Sequence, residues 1–218
     1  MKTTLSSLVQ KFVVRFGTKC FLPMPEDDNN LLQDFISCAR ALSKPKVLEL
    51  GTMRSIPERS TRHDEWIPNA IEYLGTDISE CVDVDIVADV HELSNVIGNE
   101  KFDVIISCST FEHFKYPQLA THQILKVLKP NGLLFIQTHQ SFPLHAYPHD
   151  YFRFSKEALC ALFNKRMGFE VSKTCYNFPA WICSPRELGT VNAHSYLNVC
   201  LFGKKLLTTP EEYCYDLD

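Results

Sequence analysis

Carboxylates recur in this chain where short apolar runs end. Val47-Leu-Glu49-Leu-Gly51-Thr52 carries one beside a glycine, and Tyr73-Leu-Gly-Thr-Asp77-Ile78 carries another. A continuous apolar run reads as a buried parallel strand. Ligands of open α/β sheets sit just beyond the carboxyl ends of such strands. Gly51 allows the backbone to approach a ligand closely, because no side chain is in the way. Asp77 is then placed to accept hydrogen bonds from a ribose diol. The pairing points to a nucleoside-containing cofactor.

A second reactive stretch runs Gln137-Thr-His139-Gln-Ser-Phe-Pro-Leu-His145-Ala-Tyr-Pro-His149-Asp150-Tyr151-Phe152-Arg153-Phe154. It follows a predicted strand on the ligand side. Three readings compete for it. In the first, His139, His145 or His149 removes a proton from a substrate, since histidine titrates in the right range. His149 ranks first because it adjoins Asp150, which could fix its tautomer and raise its basicity; His139 comes second, nearest the strand end. In the second, the segment is structural, with Asp150 paired to Arg153 and with Tyr151 and Phe152 in the core. The third is a metal site from the three histidines and Asp150. His-x5-His-x3-His matches no standard zinc spacing, so no metal is expected. Glu112-His113 is a further candidate pair, reactive or loop-holding.

The elements that must position these groups alternate. Strands are expected at the first run and then at 72–77, 84–88, 102–108, 132–138, 169–175 and 196–202. Ala120, Ile124, Val127 and Leu128 recur at helical spacing, and Lys129-Pro-Asn-Gly132 stops that helix. Ser155 is a helix N-cap ahead of buried Leu159, Leu162 and Phe163. The last two strands have no helix between them, so antiparallel pairing is expected. Alternation of this kind implies a mostly parallel sheet with helices on both faces.

Leu5, Leu8, Val9, Phe12, Val13 and Phe16 fall on one helical face. That helix packs on its own domain, forms a lid, or makes a homodimer contact. Residues 1–43 are read as this N-terminal helical segment, 44–207 as the main domain and 208–218 as a solvated acidic tail. The chain of 218 residues has a net charge of -4 and 45% hydrophobic residues, which suits a soluble domain and gives no broad nucleic-acid footprint. No run approaches the roughly 18 apolar residues of a membrane span. Nine cysteines, scattered and never Cys-x-x-Cys, favour a reducing cytoplasmic compartment. Cys38, Cys108, Cys160 and Cys200 are expected in core elements.

From about Lys46 to Phe163 the chain resembles the class I S-adenosylmethionine-dependent methyltransferases, closest to the type 11 or 12 group. The resembling order is Val-Leu-Glu-Leu-Gly, Gly-Thr-Asp77, Asp85-Ile-Val-Ala-Asp89-Val90-His-Glu-Leu, Phe102-Asp-Val-Ile-Ile-Ser-Cys-Ser-Thr-Phe-Glu112-His113 and Val127-Leu-Lys-Pro-Asn-Gly132. The resemblance implies a Rossmann-like α/β fold, a seven-stranded and mostly parallel sheet with a terminal antiparallel strand, and S-adenosylmethionine as cofactor. It implies that Glu49, Gly51 and Thr52 line the methionine portion, and that Asp77 binds the ribose with Ile78 on the adenine. Asp89 and Val90 would meet the adenine amino edge, and Ser107 and Cys108 would border the sulfonium. His113, His145, Tyr151 and Arg153 are expected to line a small-molecule acceptor.

The chain departs from the family after Gly51, where Thr-Met-Arg-Ser-Ile-Pro-Glu replaces the usual glycines. The absence of Gly-x-Gly-x-x-Gly weakens a nicotinamide reading. Residues 54–66 are expected to be mobile until ligand binds. O-methylation of a small molecule or glycan-type metabolite is the leading activity. N- or C-methylation and a catalytically degenerate binding domain are the alternatives.

Overall fold

The computed structural model describes residues 30–54, 56–182 and 193–217. The expected N-terminal helix lies outside the described residues. The sheet contains β1 (Lys46–Leu50), β2 (Glu72–Asp77), β3 (Ile86–Val87), β4 (Phe102–Cys108), β5 (Leu128–His139), β6 (Phe169–Ile182) and β7 (Ala193–Lys205). Its seven strands lie in the order β3-β2-β1-β4-β5-β7-β6. Strands β1 to β5 pair in parallel. β7 runs antiparallel to both β5 and β6, and its pairing with β6 is the one expected of the last two strands. This is the expected Rossmann-like fold.

The helices cover both faces. On α1 (Leu31–Arg40), Leu31, Phe35 and Ala39 recur every fourth residue and are buried. Phe35 stacks on Phe135 at 5.0 Å and meets the edge of Phe202 at 5.6 Å. The opposite face carries α3 (Pro117–Val127) and α4 (Lys156–Leu162), packed through Ala120, Ile124, Leu159 and Leu162 onto Ile105, Leu134 and Leu201. A five-residue helix, α2 (Leu93–Ile97), was not legible in the sequence.

Local signals behaved as their chemistry dictates. Ser155 Oγ accepts the Ala158 amide at 3.1 Å and starts α4. Gly132 tightens the turn after α3, where a Cβ would meet the Leu128 side chain at 2.6 Å and the Lys129 carbonyl at 2.8 Å. Among the expected core cysteines, Cys200 is buried, Cys108 and Cys160 are half-buried and Cys38 is exposed on the outer side of α1. The acidic end is only partly solvated. Glu211 is exposed, yet the Tyr213 hydroxyl donates to the Leu162 carbonyl at 3.0 Å and Asn164 Nδ2 donates to the Cys214 carbonyl at 3.1 Å. An aromatic ring with helix-end carbonyls in reach docks despite neighbouring charge.

One buried lysine was unforeseen. Lys205, at the end of β7, is fully buried and donates to the carbonyls of Leu125 at 2.8 Å and Leu128 at 2.7 Å. These are orphan acceptors at the C-terminus of α3, where a cation also suits the helix dipole. Lys205→Met is expected to lower unfolding stability by about 2–4 kcal/mol, because two buried carbonyls lose their donor. Urea denaturation measures it; an unchanged midpoint would show that other donors take over.

Candidate active site

The parallel strands all end at one edge of the sheet, and the groups of interest collect there. Gly51 closes β1 with φ +77, a left-handed conformation that a side chain disfavours. A Cβ there would meet Thr110 Oγ1 at 2.0 Å, so Thr110 occupies the space that glycine leaves. Thr52 is buried and donates from Oγ1 to the Asp83 carbonyl at 2.9 Å.

Glu49 is placed differently from expectation. Its carboxylate turns to the α1 face, where it is buried. It accepts the His63 amide at 3.0 Å, the Tyr73 hydroxyl at 2.6 Å and faces His63 Nδ1 at 2.6 Å. Burial and the neighbouring Glu49 carboxylate push the Tyr73 phenol far above its ordinary range. Glu49 therefore fastens the following loop and has little capacity left for a ligand amino group.

Two arginines tie that loop to the strand ends. Arg54 makes a bidentate pair with Asp83 at 2.6 and 2.9 Å. Arg62 donates to Asp85 at 2.9 Å and to the Tyr73 carbonyl at 2.9 Å. Thus arginine clamps hold the segment where glycines usually shape it. The Arg54 hydrogen bonds hold the Asp83 carboxyl below its ordinary range, outweighing burial. A depressed folded-state value means stabilisation that is complete above about pH 4 and lost as pH falls through the folded value. Asp83→Asn imitates that loss. It is expected to speed tryptic cleavage at exposed Arg59 at neutral pH; an unchanged cleavage rate would show that Arg62 and Glu49 hold the loop alone.

Asp77 ends β2 with two long backbone contacts, Met53 N at 3.3 Å and Ser79 N at 3.2 Å. Both lie near the far limit of a hydrogen bond, so the carboxylate keeps lone pairs for a diol. Ile78 beside it is exposed. Asp89 uses Oδ1 for the His91 amide at 2.9 Å and the His91 ring at 2.6 Å, and Val90 packs on the core below. On β4 the Ser107 hydroxyl is buried with no hydrogen-bond partner among the described residues. The neighbouring Cys108 thiol is raised by burial, then by Glu49 and Glu112, so it is inert. A carboxylate with spare lone pairs, an exposed apolar side chain and a buried hydroxyl at the strand ends fit a nucleoside-bearing methyl donor.

The second cluster at this edge is organised around Glu112, which sequence reading had not made central. Glu112 lies on the turn after β4 and is fully buried. Its Oε2 accepts from Thr138 Oγ1 at 2.7 Å. Its Oε1 faces three imidazoles: His139 Nε2 at 3.0 Å, His113 Nε2 at 3.8 Å and His145 Nε2 at 3.9 Å. The Glu112 carbonyl also accepts the amides of Tyr151 and Phe152, and the Phe154 amide returns to the His139 carbonyl at 2.9 Å. These bonds close residues 140–153 into a compact loop over the end of β5. Burial lowers the affinity of the His139 ring for a second proton, against the pull of Glu112.

The Asp150–Arg153 pair of the second reading is present, and the loop departs from the other expectations. Asp150 does not reach the His149 ring. Its oxygens accept from Arg153 at 2.6 and 2.8 Å and from the His145 amide at 2.9 Å, with His145 Nδ1 at 3.3 Å. The Arg153 hydrogen bonds hold the Asp150 carboxyl far below its ordinary range, so Asp150 is not a proton acceptor. Arg153 spends its donors on Asp150 and on the carbonyls of Phe142, Pro143 and Phe152, which leaves none for a substrate. His149 is exposed and its Nδ1 meets the Tyr151 hydroxyl at 3.1 Å, away from the cluster. Tyr151 and Phe152 remain partly exposed rather than entering the core.

A family model described as a methyltransferase domain matches residues 4–174. The chain belongs to this methyltransferase family. It is a class I methyltransferase, and S-adenosylmethionine is its methyl donor. No curated protein matches the chain. Solved structures share the fold at low identity. A Bacillus halodurans protein is 14% identical with a TM-score of 0.59, over 81% of this chain and 99% of that one. A SAM-dependent methyltransferase from Archaeoglobus fulgidus is 16% identical with a TM-score of 0.58, over 80% and 91%. The Burkholderia thailandensis 1,6-didemethyltoxoflavin-N1-methyltransferase, solved with its substrate and S-adenosylhomocysteine, is 15% identical with a TM-score of 0.53, over 83% and 80%.

Proposed function

We propose that this methyltransferase acts on a small-molecule or glycan-type acceptor, with an oxygen as the favoured methyl acceptor. The observation that carries this reading is the imidazole cluster around buried Glu112, next to the strand end where Ser107 and Cys108 would border the sulfonium. An amine needs only to be neutral to attack. A hydroxyl gains from a group that takes its proton, a contribution of typically about 10²–10⁴-fold.

S-adenosylmethionine supplies a methyl group already activated on a sulfonium. The protein has to hold the acceptor in line behind that methyl and exclude water. Asp77 would grip the ribose, Ile78 would cover one adenine face, and Asp89 with the Val90 backbone would meet the adenine amino edge. On the acceptor side, the Nδ1 of His113 faces the His149 carbonyl at 2.7 Å. That of His145 faces the Pro143 carbonyl at 3.2 Å. An N–H that donates to these carbonyls leaves each Nε2 as a lone pair turned to the cluster centre. An acceptor hydroxyl can donate to such a nitrogen as its oxygen takes the methyl group.

The thermal shift given by S-adenosylmethionine tests cofactor binding. Labelled methyl transfer to panels of sugars, phenols, carboxylates and amines tests the acceptor class. Oxygen acceptors should dominate, and exclusive labelling of amines would refute the oxygen assignment. N-methylation is the second reading, favoured by the N1-methyltransferase of similar fold.

A further inference from the structure

We propose that Glu112, His113 and His145 bind a divalent transition-metal ion beside the methyl acceptor. The ligand atoms of these three residues all lie within 4.8 Å of one another. The inference rests on the acceptor-side reading above and gives His113 and His145 the role of ligands in place of direct proton acceptance; its test measures binding rather than turnover, so either can fail alone.

The first argument is charge. Glu112 is fully buried, and among the described residues no well-aligned donor reaches its Oε1, although His139 Nε2 lies 3.0 Å away. A buried carboxylate oxygen without a donor is costly. Among the described residues, the cationic side chains within ion-pair distance of it are histidines alone. A divalent ion at this point satisfies the carboxylate directly.

The second argument is orientation. Metal-bound histidines characteristically donate their other N–H to a carbonyl or carboxylate, which fixes the tautomer and aims the ring. His113 has its Nδ1 on the His149 carbonyl at 2.7 Å. His145 has its Nδ1 between the Pro143 carbonyl at 3.2 Å and Asp150 Oδ2 at 3.3 Å. Both Nε2 atoms therefore turn lone pairs towards Glu112 Oε1. Separations of 3.8 and 3.9 Å are too long for hydrogen bonds to that oxygen. Donors that share one ion at about 2.0–2.2 Å stand roughly 3–3.5 Å apart, so a small inward shift brings them to bonding distance. His139 Nε2, 3.0 Å from the same oxygen, borders the site as a further nitrogen.

Two imidazoles and one carboxylate suit zinc, manganese, iron or cobalt and leave coordination positions open, whereas calcium and magnesium favour oxygen donors. An acceptor hydroxyl taking an open position would be acidified by the ion. Its proton would pass to water or to His139, and its oxygen would form the new bond to the methyl carbon. The carbon–sulfur bonding pair would return to sulfur, leaving S-adenosylhomocysteine. In this arrangement His113 and His145 are ligands, and the ion activates the acceptor.

The test uses the full-length chain dialysed against a chelator and titrated with Co²⁺, then with Zn²⁺ as competitor. One equivalent of cobalt should give visible d–d bands without thiolate charge-transfer, which separates this site from the free cysteines. A hundredfold excess of Zn²⁺ over its Kd should raise Tm by roughly 5–10 °C. His113→Ala and His145→Ala should each weaken binding at least about tenfold to hundredfold. Both rings are partly exposed, so these variants remain informative if the buried Glu112→Gln does not fold. Absence of cobalt bands, bands of thiolate type, or equal affinity in both histidine variants would overturn the metal site. Loss of turnover in those variants without metal binding would overturn it too and leave the histidines acting directly on the acceptor.

Discussion

His145→Ala is expected to lower turnover by about 10²–10⁴-fold while S-adenosylmethionine affinity stays within a fewfold of wild type. The ring sits on the acceptor side, with its Nδ1 held at Pro143 and Asp150 and its Nε2 turned towards Glu112. It touches none of the groups assigned to the ribose or adenine, so cofactor binding should not follow. Single-turnover rates with the identified acceptor, beside calorimetry with S-adenosylmethionine, separate the two quantities. His149→Ala is the informative control. That ring lies outside the cluster, and its loss should change turnover only severalfold. Should the ranking come out reversed, the acceptor sits over Tyr151 rather than over Glu112, and the cluster is structural.

Asp77→Ala is expected to weaken S-adenosylmethionine binding by about tenfold to a hundredfold, with the fold intact. A charge-assisted hydrogen bond contributes about 1.5–3 kcal/mol, and a diol can engage both carboxylate oxygens. Among the described residues the side chain has only the two long contacts to Met53 N and Ser79 N, so its removal should leave the sheet undisturbed. Calorimetry on a variant with wild-type circular dichroism reads the effect. Equal affinity would move the ribose away from the end of β2.

Much of the architecture was legible because its causes are local. Val104, Ile105 and Ile106 form an unbroken apolar run because a central parallel strand is covered on both sides. Ser155 announces α4 because an N-cap acts within three residues of itself. The order of the strand-end motifs identified the fold and the donor, since each strand brings its own terminal residues to the same edge. Asp77 comes to that edge for the same reason, as the last residue of β2.

The cluster around Glu112 was not readable in this way. Asp150 sits next to His149 in sequence, and adjacency suggested that pair. The loop instead turns Asp150 onto the His145 amide and onto Arg153, three residues on. Glu49 appeared to face a ligand because it ends a strand near a glycine, but strand alternation put it on the α1 face, beside Tyr73 and His63. Glu112 gathers His113 from its own turn, His139 from β5 and His145 from the loop beyond. Strand ends follow from hydrophobic pattern, which the sequence determines by itself. Which imidazole meets a buried carboxylate depends on how a loop closes, and only the tertiary structure decides that.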